Sequence, residues 1–404
     1  MRFPTLFTSL TIATTPWIAS ASQRALTAPS SAAPAYRDEL LSLHRSLVSI
    51  ESITGNEAAA GRFLEKYLVG KGYEVTRQRV GAAKDDRFNV MARPGNSSSR
   101  SRGNSNRPKV VISSHIDVVP PYIPYGIADS GGIDTHTIIT GRGSVDAKAS
   151  VAAMVVALEQ LRAVKSISDV DAALLFVVGE EDKGDGMRTY AQSLGAAGPP
   201  PAVIFGEPTD NRLACGHKGM TTCRVSAHGT PGHSGYPWLG KSANEVMVRA
   251  LTALLDADLG SSSLFGNTTV NIGRFEGGVA ANVIPENAVA QLAVRVAVGT
   301  EDDGAKTVRR RIQAVLDRVD KEALTMVCSE GYGPIKCDCD VAGFDTIVVN
   351  YGTDIGNLKG NYTKYLYGPG SILVAHGARE NLTVGDLETA VEGYKNLILH
   401  VLKQ

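Results

Sequence analysis

A chain of 404 residues is too long for one ordinary domain and suits two or three. Its 43% hydrophobic and 20% charged residues are those of a soluble globular protein, which argues against disordered and membrane-embedded classes. With 41 basic and 41 acidic residues the formal net charge is zero, and no basic cluster is interleaved with aromatics, so nothing points to nucleic acid as a partner.

The N-terminus is the first informative stretch. Arg2 is followed by a mostly apolar run from Leu6 to Ile18 and then by Ala19-Ser20-Ala21. This is the order of a secretory signal peptide: basic start, apolar middle, small residues at the cleavage site. The run is broken by Pro16 and is too short to span a bilayer, and no other segment approaches a span, so no membrane partner is expected. Residues 1–21 therefore read as a signal peptide, residues 22–35 as a Ser/Ala/Pro-rich lead-in without fold, and the protein as secreted. Secretion permits disulfides among Cys215, Cys223, Cys328, Cys337 and Cys339, although an odd count leaves at least one thiol over. Cys328 pairing with Cys337 or Cys339 across a short loop is the expectation, the rest of the connectivity staying open. The spacings do not fit a four-cysteine zinc site. Asn-x-Ser/Thr sequons at Asn96, Asn267, Asn361 and Asn381 are candidate glycosylation sites on surface loops.

Helical periodicity runs from Tyr36 to Ile50, and a second helix from Glu57 to Val69 is closed by Gly70 and Gly72. Strands follow at Tyr73 to Val80 and Phe88 to Ala92. Residues Pro94 to Pro108 hold almost no apolar side chain and read as a loop between strands. An apolar strand then ends in His115, a Pro/Tyr/Gly-rich loop follows from Pro120 to Asp134, and Thr137 to Thr140 is a short strand. A long helix covers Ala147 to Val164. The near-continuous apolar strands Asp171 to Val178 and Ala202 to Phe205, alternating with helices, predict an α/β catalytic domain with a mostly parallel central sheet flanked by helices.

The pattern changes near residue 216. A half-exposed strand (Met220 to Ala227) is followed by a helix (Ser242 to about Leu255). Two alternating strands come next (Thr268 to Phe275, Ala288 to Val298), then a helix (about Asp303 to Val319). This order predicts an inserted α+β, ferredoxin-like domain over residues 216–326. The first domain, residues 36–215, resumes at 327–404 with strands at Ile347 to Tyr351 and Lys364 to Tyr367 and an amphipathic helix from Thr383 to Leu402.

The chemistry collects at strand ends. His115 and Asp117 are two apart and point the same way on an extended strand, which suits a metal ligand and a carboxylate that orients it. Alone, a polar turn would explain them. Asp146, Glu180, Glu181, Glu207 and His376 also sit where apolar segments run out. In an open α/β sheet, ligands bind beyond the carboxyl ends of the strands. Imidazole and carboxylate donors suit zinc, and a shared carboxylate lets two metals sit close. At Glu180-Glu181 one residue can bind metal while the other acts as general base on a water whose pKa the metals lower toward about 7.

These residues stand in five motifs: Ser114-His115-Ile116-Asp117-Val118-Val119-Pro120, Gly141-Arg142-Gly143-Ser144-Val145-Asp146-Ala147-Lys148, Glu180-Glu181, Gly206-Glu207-Pro208, and Gly368-Pro369-Gly370 with Ala375-His376. In kind and order they resemble the dinuclear zinc amidohydrolase family of acetylornithine deacetylase, succinyl-diaminopimelate desuccinylase, aminoacylase and glutamate carboxypeptidase, from about Tyr36 to the C-terminus. The resemblance implies two zinc ions per chain. It makes His115 and Glu207 ligands of one metal, Glu181 and His376 ligands of the other, Asp146 the bridge and Glu180 the general base. It places Asp117 against the His115 imidazole, makes Asp146-Ala147 a cis peptide and counts Gly370 among the substrate-binding residues.

The inserted segment resembles the family's lid and dimerisation domain. Gly229-Thr230-Pro231-Gly232-His233-Ser234 implies His233, rather than the nearby His228, as an oxyanion-stabilising residue, often supplied by a neighbouring subunit, so a homodimer through the lid is implied. Gly277 to Pro285 resembles the motif that contacts substrate through Asn282. Arg295, on the next lid strand, would pair with a substrate carboxylate through its bidentate fork; a surface salt bridge is the competing reading. Two departures stand out. Ala149-Ser150 follows Lys148 where the family often has Gly. Gly377-Ala378-Arg379-Glu380 follows His376 where the family commonly places Asn-Glu, with Glu380 as the counterpart and a sequon directly after it. Glu207 rather than Asp resembles the deacylase and carboxypeptidase branch. A secreted member most naturally meets peptides, so the expected activity is carboxypeptidase, removing a C-terminal residue by metal-hydroxide attack. The alternative is an N-acyl-amino-acid deacylase. A non-catalytic binding protein on the same fold should have lost a ligand or the base, and none is missing.

Overall fold

The computed structural model describes residues 33–82, 86–95, 107–128 and 131–403. The stretch expected to be a signal peptide, most of the expected lead-in, Asn96 and most of the 94–108 loop lie outside the described residues. Among the described residues no helix is long and apolar enough to cross a membrane.

Helix α1 (Arg37–Val48) places Asp38 and Glu39 in its first turn, where the helix dipole favours them, and buries Leu40, Leu43 and Leu47 on one stripe. Helix α2 (Ala58–Gly70) buries Ala60, Leu64 and Leu68 at i, i+4 spacing, with Gly61 at the point where a Cβ would meet the Phe88 ring at 2.9 Å. Strands β1 (Tyr73–Arg79), β2 (Phe88–Pro94), β3 (Val110–His115), β4 (Ala172–Val177) and β5 (Ala202–Gly206) belong to the central sheet. Between β3 and β4 runs α3 (Lys148–Ala163), apolar on nearly every side and buried accordingly, and after β4 comes the short α4 (Asp185–Ser193). The lid contributes β6 (Gly219–His228), α5 (Ala243–Leu255), β7 (Thr269–Gly277), β8 (Asn287–Val296), α6 (Gly304–Asp320) and β9 (Leu324–Cys328). The chain closes with β10 (Thr363–Tyr367) and α7 (Val384–Lys403).

The six-stranded sheet has the order β1-β2-β4-β3-β5-β10. β4, β3, β5 and β10 run parallel, and β2 and β1 are antiparallel additions at one edge. Alternate residues divide between two cores, as the two-residue period of a strand requires. Ile112, Leu174, Phe176 and Ile204 join α1, α3 and α7 on one face, while Val111, Leu175, Val203 and Phe205 face the α4 side. Because β4 and β5 flank β3 on opposite sides, the strand order reverses at β3. The crevice for a ligand opens at such a switch point.

The lid sheet, β7-β8-β6-β9, is antiparallel throughout and packs one face on α5 and α6 around its own core. Ser242 caps α5 by accepting the Glu245 amide at 3.3 Å, the first half of a capping box. The expected α/β domain with an inserted α+β lid is therefore the architecture present. Three elements carried no clear sequence pattern. α4 offers only Met187 and Tyr190 as large buried side chains, and β9 is a five-residue edge strand. The junction strand Leu213–His217 pairs with Ile335–Lys336 and Thr346–Val349 only after the chain has crossed the lid and returned.

The disulfides differ from expectation. Cys328 bonds to Cys223 and Cys339 to Cys215, leaving Cys337 as the free thiol, pushed up to about 12 by burial. The reason is strand pairing: Cys328 lies directly opposite Cys223 in the β9–β6 register, and Cys337 N–H donates to the Cys215 carbonyl beside the other bridge. One bridge thus ties the crossing strands on the catalytic side and the other on the lid side. Asn267 and Asn361 are exposed; Asn381 is half-buried and donates from Nδ2 to the Arg379 carbonyl at 2.7 Å.

Candidate metal centre

The parallel strands deliver the site. His115 ends β3, Glu180 and Glu181 follow β4, Glu207 follows β5, and Asp146 precedes α3 across a peptide bond that is cis to Ala147. His115 Nδ1 donates to the Asp117 carbonyl at 2.9 Å, which turns Nε2 toward Asp146 Oδ1 at 3.1 Å and Glu207 Oε2 at 3.8 Å. His376 Nε2 stands 3.2 Å from Asp146 Oδ2 and 3.0 Å from Glu181 Oε2. Two groups of three donors result, His115-Asp146-Glu207 and Asp146-Glu181-His376, each with its ligand atoms within 4.8 Å of one another. Asp146 belongs to both and offers a different oxygen to each.

The electrostatics ask for cations. Three carboxylates, Asp146, Glu181 and Glu207, converge on two imidazoles, and no lysine or arginine ion-pairs with any of the three among the described residues. Burial, with Glu207 next, raises Glu180 well above the ordinary carboxyl range, and burial lifts Glu207 to about 7. Burial works against ionised Asp146, but the two imidazoles outweigh it and hold its pKa low. Burial also disfavours a charged His115, yet the carboxylates around it raise its pKa. His376, half exposed, is raised to about 10 by hydrogen bonds to Asp146 and Glu181. Buried like charges at this density are costly unless compensated. Imidazole and carboxylate donors in two overlapping triads are a suitable set for two divalent cations.

Asp117 has a wider part than orienting His115. Its carboxylate oxygen is 3.6 Å from His115 Nδ1, and the ring bonds the Asp117 backbone carbonyl instead. The carboxylate accepts the amides of Glu180 (3.1 Å) and Glu181 (3.2 Å) and the Thr54 hydroxyl (2.8 Å), so it shapes the turn that presents both glutamates. Asn89 braces the same turn, accepting from Val178 N and donating to the Gly186 carbonyl. Glu180 itself belongs to neither donor triad.

The other sequence-derived residues are scattered. His233 and Asn282 are exposed on adjacent lid segments, where His233 pairs with Val283 and Ser234 N–H donates to the Asn282 carbonyl. Neither joins the hydrogen bonds of the cage. His228 bonds Asn287 on the lid sheet. Arg295 has no acidic partner among the described residues, which removes the surface salt-bridge reading; Nη1 touches Met220 Sδ at 3.3 Å and faces Gly352 of the catalytic domain. Gly370 is buried at φ +72°, packed on Val145 and Leu382.

Sequence reasoning missed the stretch Tyr351-Gly352-Thr353-Asp354. Asp354 is buried beside the Glu180 turn, one carboxylate oxygen unpartnered and its pKa raised to about 6 by burial. Thr353 bonds the buried His217 of the junction strand at 3.2 Å. Its compact Gly-Thr-Asp pattern was the available signal, but it leads only into a single 3₁₀ turn, Asp354–Asn357, with Thr353 as its cap.

A parallel-sheet hydrolase domain with two overlapping imidazole–carboxylate triads and an inserted second domain is the build of a metallopeptidase. The comparisons agree. Residues 215–323 match the peptidase dimerisation domain. The chain is 52% identical to a peptidase M20 domain-containing protein of Sordaria macrospora, over 92% of this chain and 86% of that one. It is 46% identical to a probable carboxypeptidase of Aspergillus fumigatus, over 89% of this chain and 86% of that one. Its fold is similar to that of an M20 family metallo-carboxypeptidase from Sulfolobus solfataricus, with a TM-score of 0.70 at 16% identity, covering 91% and 100% of the two chains. The chain belongs to the M20 peptidase family.

Proposed function

We propose that this metallopeptidase is a secreted carboxypeptidase that holds two zinc ions and removes the C-terminal residue of peptides. The observation that carries this reading is the pair of donor triads sharing Asp146, with Glu180 beside them and outside both. His115, Asp146 and Glu207 would hold one cation, and Asp146, Glu181 and His376 the other. When bound, the two cations polarise the scissile carbonyl and make an attacking water more acidic.

Glu180 takes the proton of that water and returns it to the leaving amine; its raised pKa is the direction a group needs to act as both base and acid. Arg295, without an acidic partner, receives the terminal carboxylate of the peptide through its two-pronged guanidinium. His233 and Asn282, exposed on the lid, complete the site from a second copy of the chain, so that the oxyanion is stabilised across a homodimer. Carboxypeptidase names among the fungal relatives support the substrate class. Two disulfides and the apolar N-terminal run support export.

The test is an assay panel of peptides with free C-termini against N-acetyl amino acids, with and without a chelator. Peptide turnover that the chelator abolishes is the expected result. Turnover of N-acyl amino acids alone would overturn the carboxypeptidase reading in favour of the deacylase.

A further inference from the structure

We propose that Glu380 and Arg142 are positioning residues that lock Asp146 and His376 into the geometry two metals require. The inference rests on the two-metal reading above. Glu380 follows His376 by four residues and is 1% exposed; Arg142 precedes Asp146 by four and is 2% exposed. Their side chains meet, Arg142 Nη1 donating to Glu380 Oε2 at 2.6 Å.

The rest of their bonding capacity goes to the backbone of the ligand-bearing loops. Glu380 Oε1 accepts the amides of Gly143 (2.9 Å), Val145 (3.0 Å) and Asp146 (3.2 Å). The Glu380 carbonyl accepts the Gly141 amide at 3.3 Å. Arg142 Nη2 donates to the His376 carbonyl and Nε to the Pro121 carbonyl, both at 3.3 Å. One buried ion pair therefore joins the loop after β3, the loop that carries Asp146 and the loop that carries His376. Arg142 and His376 are 234 residues apart in sequence.

Stability alone is a poor reason for such a pair. Desolvating two charges offsets most of their attraction, and an apolar pair of similar volume would often serve a core as well. What an apolar pair could not do is hold three amides of one loop and two remote carbonyls in fixed directions. Those directions aim Asp146 at both donor triads and bring His376, whose side chain is 53% exposed, back over them.

The experiment uses the full chain, stripped of metal and titrated with cobalt(II), read by the visible d–d band and by calorimetry. Glu380→Gln keeps an acceptor for the loop amides but loses the charge; Arg142→Lys keeps the charge but loses the reach to His376. Each is expected to weaken binding of at least one cation by about 10–100-fold, alter the cobalt spectrum and lower kcat more than it raises KM. Glu388→Gln, which breaks the distant ion pair between α7 and Arg37 at the start of α1, is the control: it should lower the melting temperature and leave cobalt affinity unchanged. If both variants lose stability like the control yet bind cobalt with wild-type affinity and spectrum, the positioning role is overturned. If Glu380→Gln does not fold, Arg142→Lys carries the same test. A wild-type chain that takes up no cobalt would instead overturn the two-metal reading, and this inference with it.

Discussion

The two domains hold their site residues in opposite ways. In the catalytic domain, His115, Asp146, Glu181, Glu207 and His376 bond one another, and their loops are fixed by Asp117, Asn89 and Glu380. In the lid, His233 and Asn282 stand exposed, and among the described residues Arg295 has no carboxylate partner, its Nη1 touching only Met220 Sδ. The catalytic half is preorganised around charge it must compensate, whereas the lid half presents exposed groups that, on the proposed function, substrate or a second copy engages. The difference follows from burial. Converging carboxylates cannot stay in a core without fixed partners, while exposed groups can wait in water at little cost.

The sharpest way to break this contrast is Glu180→Gln. Peptidase kcat should fall by about 10²–10⁴-fold while metal content stays at the wild-type level. Full activity in that variant would end the general-base assignment. Replacing the lid bridge with Cys223→Ser plus Cys328→Ser opens a loop of 105 residues and should lower stability by about 2–5 kcal/mol in denaturant melts. An unchanged midpoint would show that the lid core needs no staple.

Arg295→Met should cost about 10–100-fold in kcat/KM for peptides with a free C-terminus and little for C-terminal amides, because one charge-assisted contact is lost. Equal losses on both would remove it from carboxylate recognition.

The smallest effect concerns His44 and His217, both buried and lowered to about 4 by desolvation. Each folded pKa lies below the unfolded value of about 6.5, so the unfolded chain gains protons first as pH falls. Their contribution is complete above about 6.5 and is lost progressively as pH falls toward 4, on the order of 1 kcal/mol per ring by pH 5.5. Unfolding midpoints measured between pH 7.5 and 5 should flatten in His44→Gln and His217→Gln; slopes matching the wild type would reject these rings as the source.

Much of this protein was legible before folding. Val110 to Ile112 and Leu174 to Val177 announced buried parallel strands, and the polar residues at their ends announced a site, because a strand buried on both faces must place its chemistry where it stops. The lid showed itself through a change from continuous to alternating apolar pattern. The disulfide partners were not legible, since Cys328 lies near Cys337 and Cys339 in sequence but opposite Cys223 in space. Nor was the work of the Asp117 carboxylate, which is directed at amides 63 and 64 residues downstream.

By itself, then, the sequence determined the residue types: which strands are buried, which donors end them and that a second domain interrupts the first. These are local properties, carried by hydrophobic periodicity and by the chemistry of each side chain. Tertiary structure alone decided the pairings: Asp146 between two imidazoles, Glu380 beneath the Asp146 loop, Cys223 on Cys328, and Arg295 facing Gly352. Such pairings depend on strand order and register, which bring distant segments together by packing rather than by proximity along the chain.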